Sequence, residues 1–162
     1  MRRFVVLVVV LATGVATAAP VLAGPNVYPP EPVDFTVNFE AGFPCDFDLE
    51  AHVWGKSGYI EFDDRAISIA PGLRVTLTNT ESDESITNGI GGVLHDTILG
   101  DVLRTKWTGH NVMFGVIDGE PGMFLTVGKI VTESSFDDLS TMTIIKEESP
   151  GKLIDVCALL SD

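Results

Sequence analysis

The sequence predicts an all-β protein of about eight antiparallel strands. Three observations carry that reading. Apolar and polar residues alternate along several runs, turn-forming residues recur about every 8–12 positions, and no segment before residue 150 holds a helical period. Such a set closes into a barrel or, as the alternative, folds as a two-sheet β-sandwich. Glycines inside strand-like runs, such as Gly115 and Gly128, let strands bend and favour the barrel.

The first alternating run is Val33 to Phe39. After a break at Gly42 and Pro44 comes a second, with Phe47, Leu49, Ala51 and Val53 on one face and Asp46, Asp48, Glu50 and His52 on the other. Lys56-Ser57-Gly58 reads as a turn, Tyr59 to Phe62 as a short strand running toward Ile69, and Pro71-Gly72 as another turn. Leu73 to Asn79 alternates cleanly. Glu81 to Glu84 is a hairpin loop before a strand near Ser85 to Ile90, which Gly91-Gly92 ends. Further strands are expected near Val102 to Trp107, Asn111 to Ile117, Met123 to Thr132 and Thr141 to Glu147. Pro121-Gly122 suits the centre of a type II turn, and Gly109 and Gly119 suit tight turns. Leu153 to Leu160 is expected to form a short C-terminal helical turn.

Residues 1–23 read as a secretory signal peptide. Arg2-Arg3 precedes the apolar run Phe4 to Leu11, and small residues lead to Val21-Leu22-Ala23, with cleavage after Ala23 or, second, Ala18. The apolar run is shorter than the roughly 20 residues of a bilayer span. Position 25 is proline rather than the cysteine of a lipoprotein box, so no lipid anchor is expected. Residues 24–32 hold four prolines and read as an extended leader that pairs with no sheet, leaving 33–162 as a single β domain.

Charge narrows the partners. The chain carries a net −13, and with Arg2 and Arg3 removed eight basic residues face 23 acidic ones, close to −15. Such a surface repels nucleic-acid phosphates and anionic membranes. Outside the cell the two cysteines, Cys45 and Cys157, are expected to pair across the whole domain.

Four groups of residues carry candidate chemistry. The stripe Asp46, Asp48, Glu50 and His52 can hold a divalent ion or set carboxylates at acid–base distance; equally it is a solvated face whose charge protects a strand edge. His52, His95 and His110 suit a zinc site by type, but none falls in an HxH or HExxH pair. The loops Asp63-Asp64, Glu81 to Glu84 and Asp137-Asp138 are candidates for weak calcium binding, and no other cofactor is indicated. Trp54, Tyr59 and Trp107 would stack on a sugar or line a barrel mouth if exposed, and belong to the core if buried. No GxSxG elbow or phosphate-binding glycine loop is present.

From Leu77-Thr78-Asn79 onward, several short pieces resemble a family of small secreted actinobacterial proteins without an assigned function. They are Thr108-Gly109-His110-Asn111, Pro121-Gly122-Met123-Phe124-Leu125 with Gly128 behind it, and the closing Asp155-Val156-Cys157-Ala158-Leu159-Leu160. The family also carries an early cysteine in the position of Cys45. Where members often have a Ser-Gly-Pro-Gly turn, this chain has Asn88-Gly89-Ile90-Gly91-Gly92. The resemblance implies an all-β, disulfide-closed domain and supplies no activity.

The expected function is therefore a secreted, non-enzymatic binding protein holding a small apolar ligand in a barrel. The alternative is a structural or cell-envelope interaction protein acting through its acidic surface. An enzyme on a dirigent-like or cyclase-like barrel is the third reading, resting on fold analogy.

Overall fold

Alternation gives each strand one apolar and one polar face, and this chain buries the apolar faces by curling a sheet on itself. The computed structural model describes residues 24–135 and 138–161; the expected signal peptide lies outside them. Ten strands form one sheet, curled into a half-barrel. They are β1 (Asn26–Phe39), β2 (Leu49–Glu61), β3 (Arg65–Ile69), β4 (Arg74–Asn79) and β5 (Ser85–Gly89), then β6 (Val93–Leu99), β7 (Val102–Ile117), β8 (Glu120–Ser135), β9 (Asp138–Ile144) and β10 (Lys152–Asp155). One helical turn, α1 (Val156–Leu159), follows.

Strand β2 is the branch point. One of its edges pairs with β1, while the other pairs with β4 through residues 49–54 and with β3 through residues 58–61. From β3 the sheet continues through β6 and β7 to β8. β9 pairs antiparallel with β8 and parallel with the end of β7, so the long β7–β8 hairpin coils back on itself.

Two cores result. The first lies under β2 and β4, where Leu49, Ala51, Val75 and Leu77 meet Met123 and Leu125 of β8 and Val156 and Leu160 at the C-terminus. The second fills the coil of the hairpin with Met113, Ile117 and Met142, against which Trp107, Phe124, Ile144 and Leu153 pack. Met123 and Leu125 thus face one core and Phe124 the other, so β8 is covered on both sides. The C-terminal end is tied to the body twice and capped locally. Cys45 and Cys157 form a disulfide with Cα atoms 5.3 Å apart. Asp155 Oδ1 accepts the Ala158 N–H at 3.0 Å, and Asn79 Nδ2 donates to the Leu160 carbonyl at 2.8 Å.

Several local expectations need correction. The proline-rich leader is paired rather than free: β1 begins at Asn26, and its ladder to β2 skips only between Tyr28 and Glu31, where Pro29-Pro30 lacks donors. Lys56-Ser57-Gly58 is no turn but the middle of β2. A Cβ on Gly58 would lie 2.6 Å from the Tyr28 carbonyl oxygen, so glycine here serves close strand contact. Pro121-Gly122 lies within β8, opposite Val116 and Gly115. The hairpin turn is Asp118-Gly119, whose φ values of 52° and 93° suit a two-residue type I′ turn. Gly109 also sits inside a strand, facing Gly128; their φ values of 82° and 90° place a bend in the hairpin. Val93–Leu99 was not anticipated as a strand, and the expected terminal helix starts only after β10.

Candidate functional site

The sheet's outward face over β1, β2, β4 and β5 follows from the β2 period. Leu49, Ala51 and Val53 pack against the first core, so Glu50, His52 and Trp54 point the other way. Register then sets Asp34, Thr36 and Asn38 of β1 beside them on one flank and Arg74, Thr76 and Thr78 of β4 on the other. Beyond β4, β5 adds Ser85, Thr87 and Gly89. His52 Nε2 meets Asp34 Oδ1 at 2.8 Å, and its ring stacks on Trp54 with centroids 4.9 Å apart. Thr76 and Thr87 share a hydroxyl–hydroxyl hydrogen bond of 2.7 Å. Trp54 stays partly exposed, and Asp34 and Arg74 are exposed.

At the corner of this face lies an open cleft of about 280 Å³, lined by Gly72, Leu73, Arg74, Gly89, Gly91 and His110. Three glycines leave part of its wall as backbone: a Cβ on Gly91 would lie 3.0 Å from the Ala70 carbonyl oxygen, while Gly72 and Gly89 have open space around them. Among the described residues Arg74 makes no side-chain hydrogen bond or ion pair. Arg104, by contrast, is held by Glu133 and Glu148, which raise its pKa while the Arg104 guanidinium keeps the Glu148 carboxyl below the usual range.

The predicted metal stripe is split. Asp46 and Asp48 precede β2; the Asp48 carboxylate accepts the Ala41 N–H at 2.7 Å, bracing the connecting loop. Only Glu50 and His52 lie on the strand face. Among the described residues no group of three or more His, Cys, Asp or Glu side chains is placed to hold a metal ion. His52, His95 and His110 are therefore not a zinc site, and they sit on β2, β6 and β7. Of the proposed calcium loops, Asp63-Asp64 joins β2 to β3 and Glu81 to Glu84 joins β4 to β5. Asp137 lies outside the described residues, and Asp138 begins β9.

The three aromatic candidates do not converge either. Trp107 packs on the second core and its Nε1 donates to Thr132 Oγ1 at 3.0 Å, which makes it a core residue. Tyr59 stacks on Tyr28 of β1, centroids 4.2 Å apart, toward the far end of β2. Trp54 alone belongs to the outer face.

One titratable group was missed by sequence reasoning. Asp96 of β6 lies on the same face as Trp107 and accepts the Thr105 hydroxyl at 2.6 Å. Burial pushes its carboxyl above the usual range, partly offset by that hydrogen bond and by His95. Burial, helped by Lys106, lowers the His95 imidazole. The available signal was a carboxylate set in the apolar run from Val93 to Leu99. The pair Asp96–Thr105 can hold a proton.

No protein-family model, curated protein or solved structure matches the chain. Among the described residues no helix is long and apolar enough to cross a membrane.

Proposed function

We propose that the chain is exported and acts as a non-enzymatic binding module, meeting its ligand on the open outer face rather than inside the curl. The observation that carries this reading is the placement of a partly exposed indole, Trp54, and an unpaired guanidinium, Arg74, side by side on that face. Exposed aromatic and arginine side chains are the groups that most often anchor binding. The interior is a less favourable place for a ligand, because Met113, Ile117, Met142 and Trp107 already fill the coil. An extracellular setting fits the disulfide between Cys45 and Cys157. The secreted alternative, contact with the cell envelope, uses the same face.

The test is co-sedimentation of the protein from culture supernatant with washed envelopes of the producing cells, alongside native mass spectrometry. The reading expects a chain beginning at Gly24 that sediments as wild type and stays in solution as Trp54→Ala. An apolar adduct retained equally by both proteins, with no Trp54 dependence in sedimentation, would favour an interior ligand instead.

A further inference from the structure

Resting on that surface reading, we infer that the outer face of β1, β2, β4 and β5 binds a neutral polysaccharide. One pyranose ring stacks on Trp54, and adjoining sugars hydrogen-bond along the hydroxyl rows beside it.

The ligand class follows from what the face holds and what it lacks. A tryptophan ring presents a negative π-face, which attracts the slightly positive C–H bonds on one side of a pyranose. His52, stacked on one face of that indole at 4.9 Å and tied to Asp34, braces the ring, so little rotamer freedom is lost when a sugar meets its other face. Around it stand Thr36, Thr76, Thr78, Ser85 and Thr87. Hydroxyls both donate and accept, the same dual capacity that sugar hydroxyls have. None of the twelve positions on the face is aliphatic, so it lacks the apolar centre of a protein–protein interface.

Charge points the same way. The face sets two carboxylates, Asp34 and Glu50, against the Arg74 guanidinium, with Lys56 next along β2 on the same side. The chain as a whole is at −13, which repels nucleic acid and acidic polysaccharides alike. An uncharged polyhydroxylated chain is the occupant that pays neither cost. Four strands and three alternate positions give a platform roughly 14 Å on a side, enough for a short run of sugar rings. The cleft of about 280 Å³ at Arg74 and Gly89 continues that track, with His110 on its far wall.

Affinity gel electrophoresis tests this with named probes: hydroxyethyl cellulose, xylan and galactomannan as neutral polymers, and polygalacturonate as the acidic one. The wild-type protein should be retarded by at least one neutral polymer and not by polygalacturonate. Trp54→Ala should weaken that retardation about tenfold, as loss of an anchoring aromatic does. Trp54→Tyr, which keeps a stacking ring, should fall between. Arg74→Gln gives an independent reading should Trp54→Ala fail to fold, and is expected to weaken binding several-fold. No retardation by any neutral polymer, retardation by polygalacturonate alone, or retardation unchanged in all three variants would overturn the assignment. If Trp54→Ala loses envelope association while no neutral polymer retards the wild type, the surface reading stands and the polysaccharide assignment falls.

Discussion

Trp54 of β2 and Arg74 of β4 are cross-strand partners, so an indole and a guanidinium project together from the side of the sheet that faces away from the first core. Neither group belongs to either core. Arg74 is exposed and unpaired among the described residues, so its replacement should barely touch the fold. Arg74→Glu is expected to change stability by less than about 0.5 kcal/mol and to weaken envelope binding clearly, measured by urea denaturation and co-sedimentation. A large stability loss would show that Arg74 is structural.

Removing the disulfide should be costly. Cys45 and Cys157 are 112 residues apart in sequence, and closing a loop of that length is worth roughly 4–5 kcal/mol on the chain-entropy model. The double variant Cys45→Ala/Cys157→Ala should lose most of that in a denaturant titration. A loss below about 1 kcal/mol would mean that the Asn79 bond to Leu160 and the buried Val156 and Leu160 hold the C-terminal end unaided.

Trp107 should behave as core. Trp107→Phe removes the donor to Thr132 Oγ1 and leaves the hydroxyl of a buried threonine without that partner. A destabilisation of about 1–3 kcal/mol is expected, with envelope binding unchanged. A binding loss without destabilisation would return Trp107 to the list of ligand contacts.

Two neighbouring glycines should respond oppositely to alanine. A Cβ on Gly92 would lie 2.4 Å from Asn111 Oδ1 and 2.5 Å from the Thr108 carbonyl oxygen, while one on Gly89 meets nothing within 4 Å. Gly92→Ala should therefore cost about 1–3 kcal/mol through overpacking, and Gly89→Ala should be close to neutral. Equal effects in thermal melts would contradict the packing at the β5–β6 connection.

Asp96 sets a pH dependence of defined sign. Its folded pKa is raised above the ordinary 3.8, so the folded state holds the proton more tightly than the unfolded chain. Below 3.8 the buried carboxyl carries no penalty; the penalty grows as pH rises to the folded value and stays constant above it. Asp96→Asn keeps an oxygen that can accept from Thr105 and removes the charge. It should melt higher than wild type at pH 7, with the difference largely gone at pH 3. A difference equal at both values would contradict the burial argument.

Much of this architecture is legible in the residues, for physical reasons that also explain the gaps. Leu49 to Val53 and Leu73 to Asn79 alternate because one face is core and the other is water. Val93 to Leu99 groups like residues together, since β6 lies between two strands and none of its positions is fully buried. Composition near a turn misled in two places: Pro121-Gly122 carries turn residues inside a strand, and Pro29-Pro30 interrupts a ladder without ending it. The disulfide was readable from two cysteines at opposite ends of the domain together with the signal-like N-terminal segment, which makes pairing permissible. The site was readable only in part. Grouping Trp54, Tyr59 and Trp107 by residue type takes no account of which face each occupies. Arg74 and the threonine rows come into view only when β1, β4 and β5 are placed beside β2, and that is information in the pairing rather than in any one segment.

The central claim is that ligand contacts Trp54 on the outer face and leaves the interior undisturbed. The chain has two tryptophans, so its indole N–H groups give two resonances in an ¹H–¹⁵N spectrum, one exposed and one held by Thr132. Titration with the neutral polymer that retards the protein should shift the Trp54 indole and leave that of Trp107 in place. Movement of the Trp107 indole with Trp54 unchanged would contradict the account and move the site into the curl.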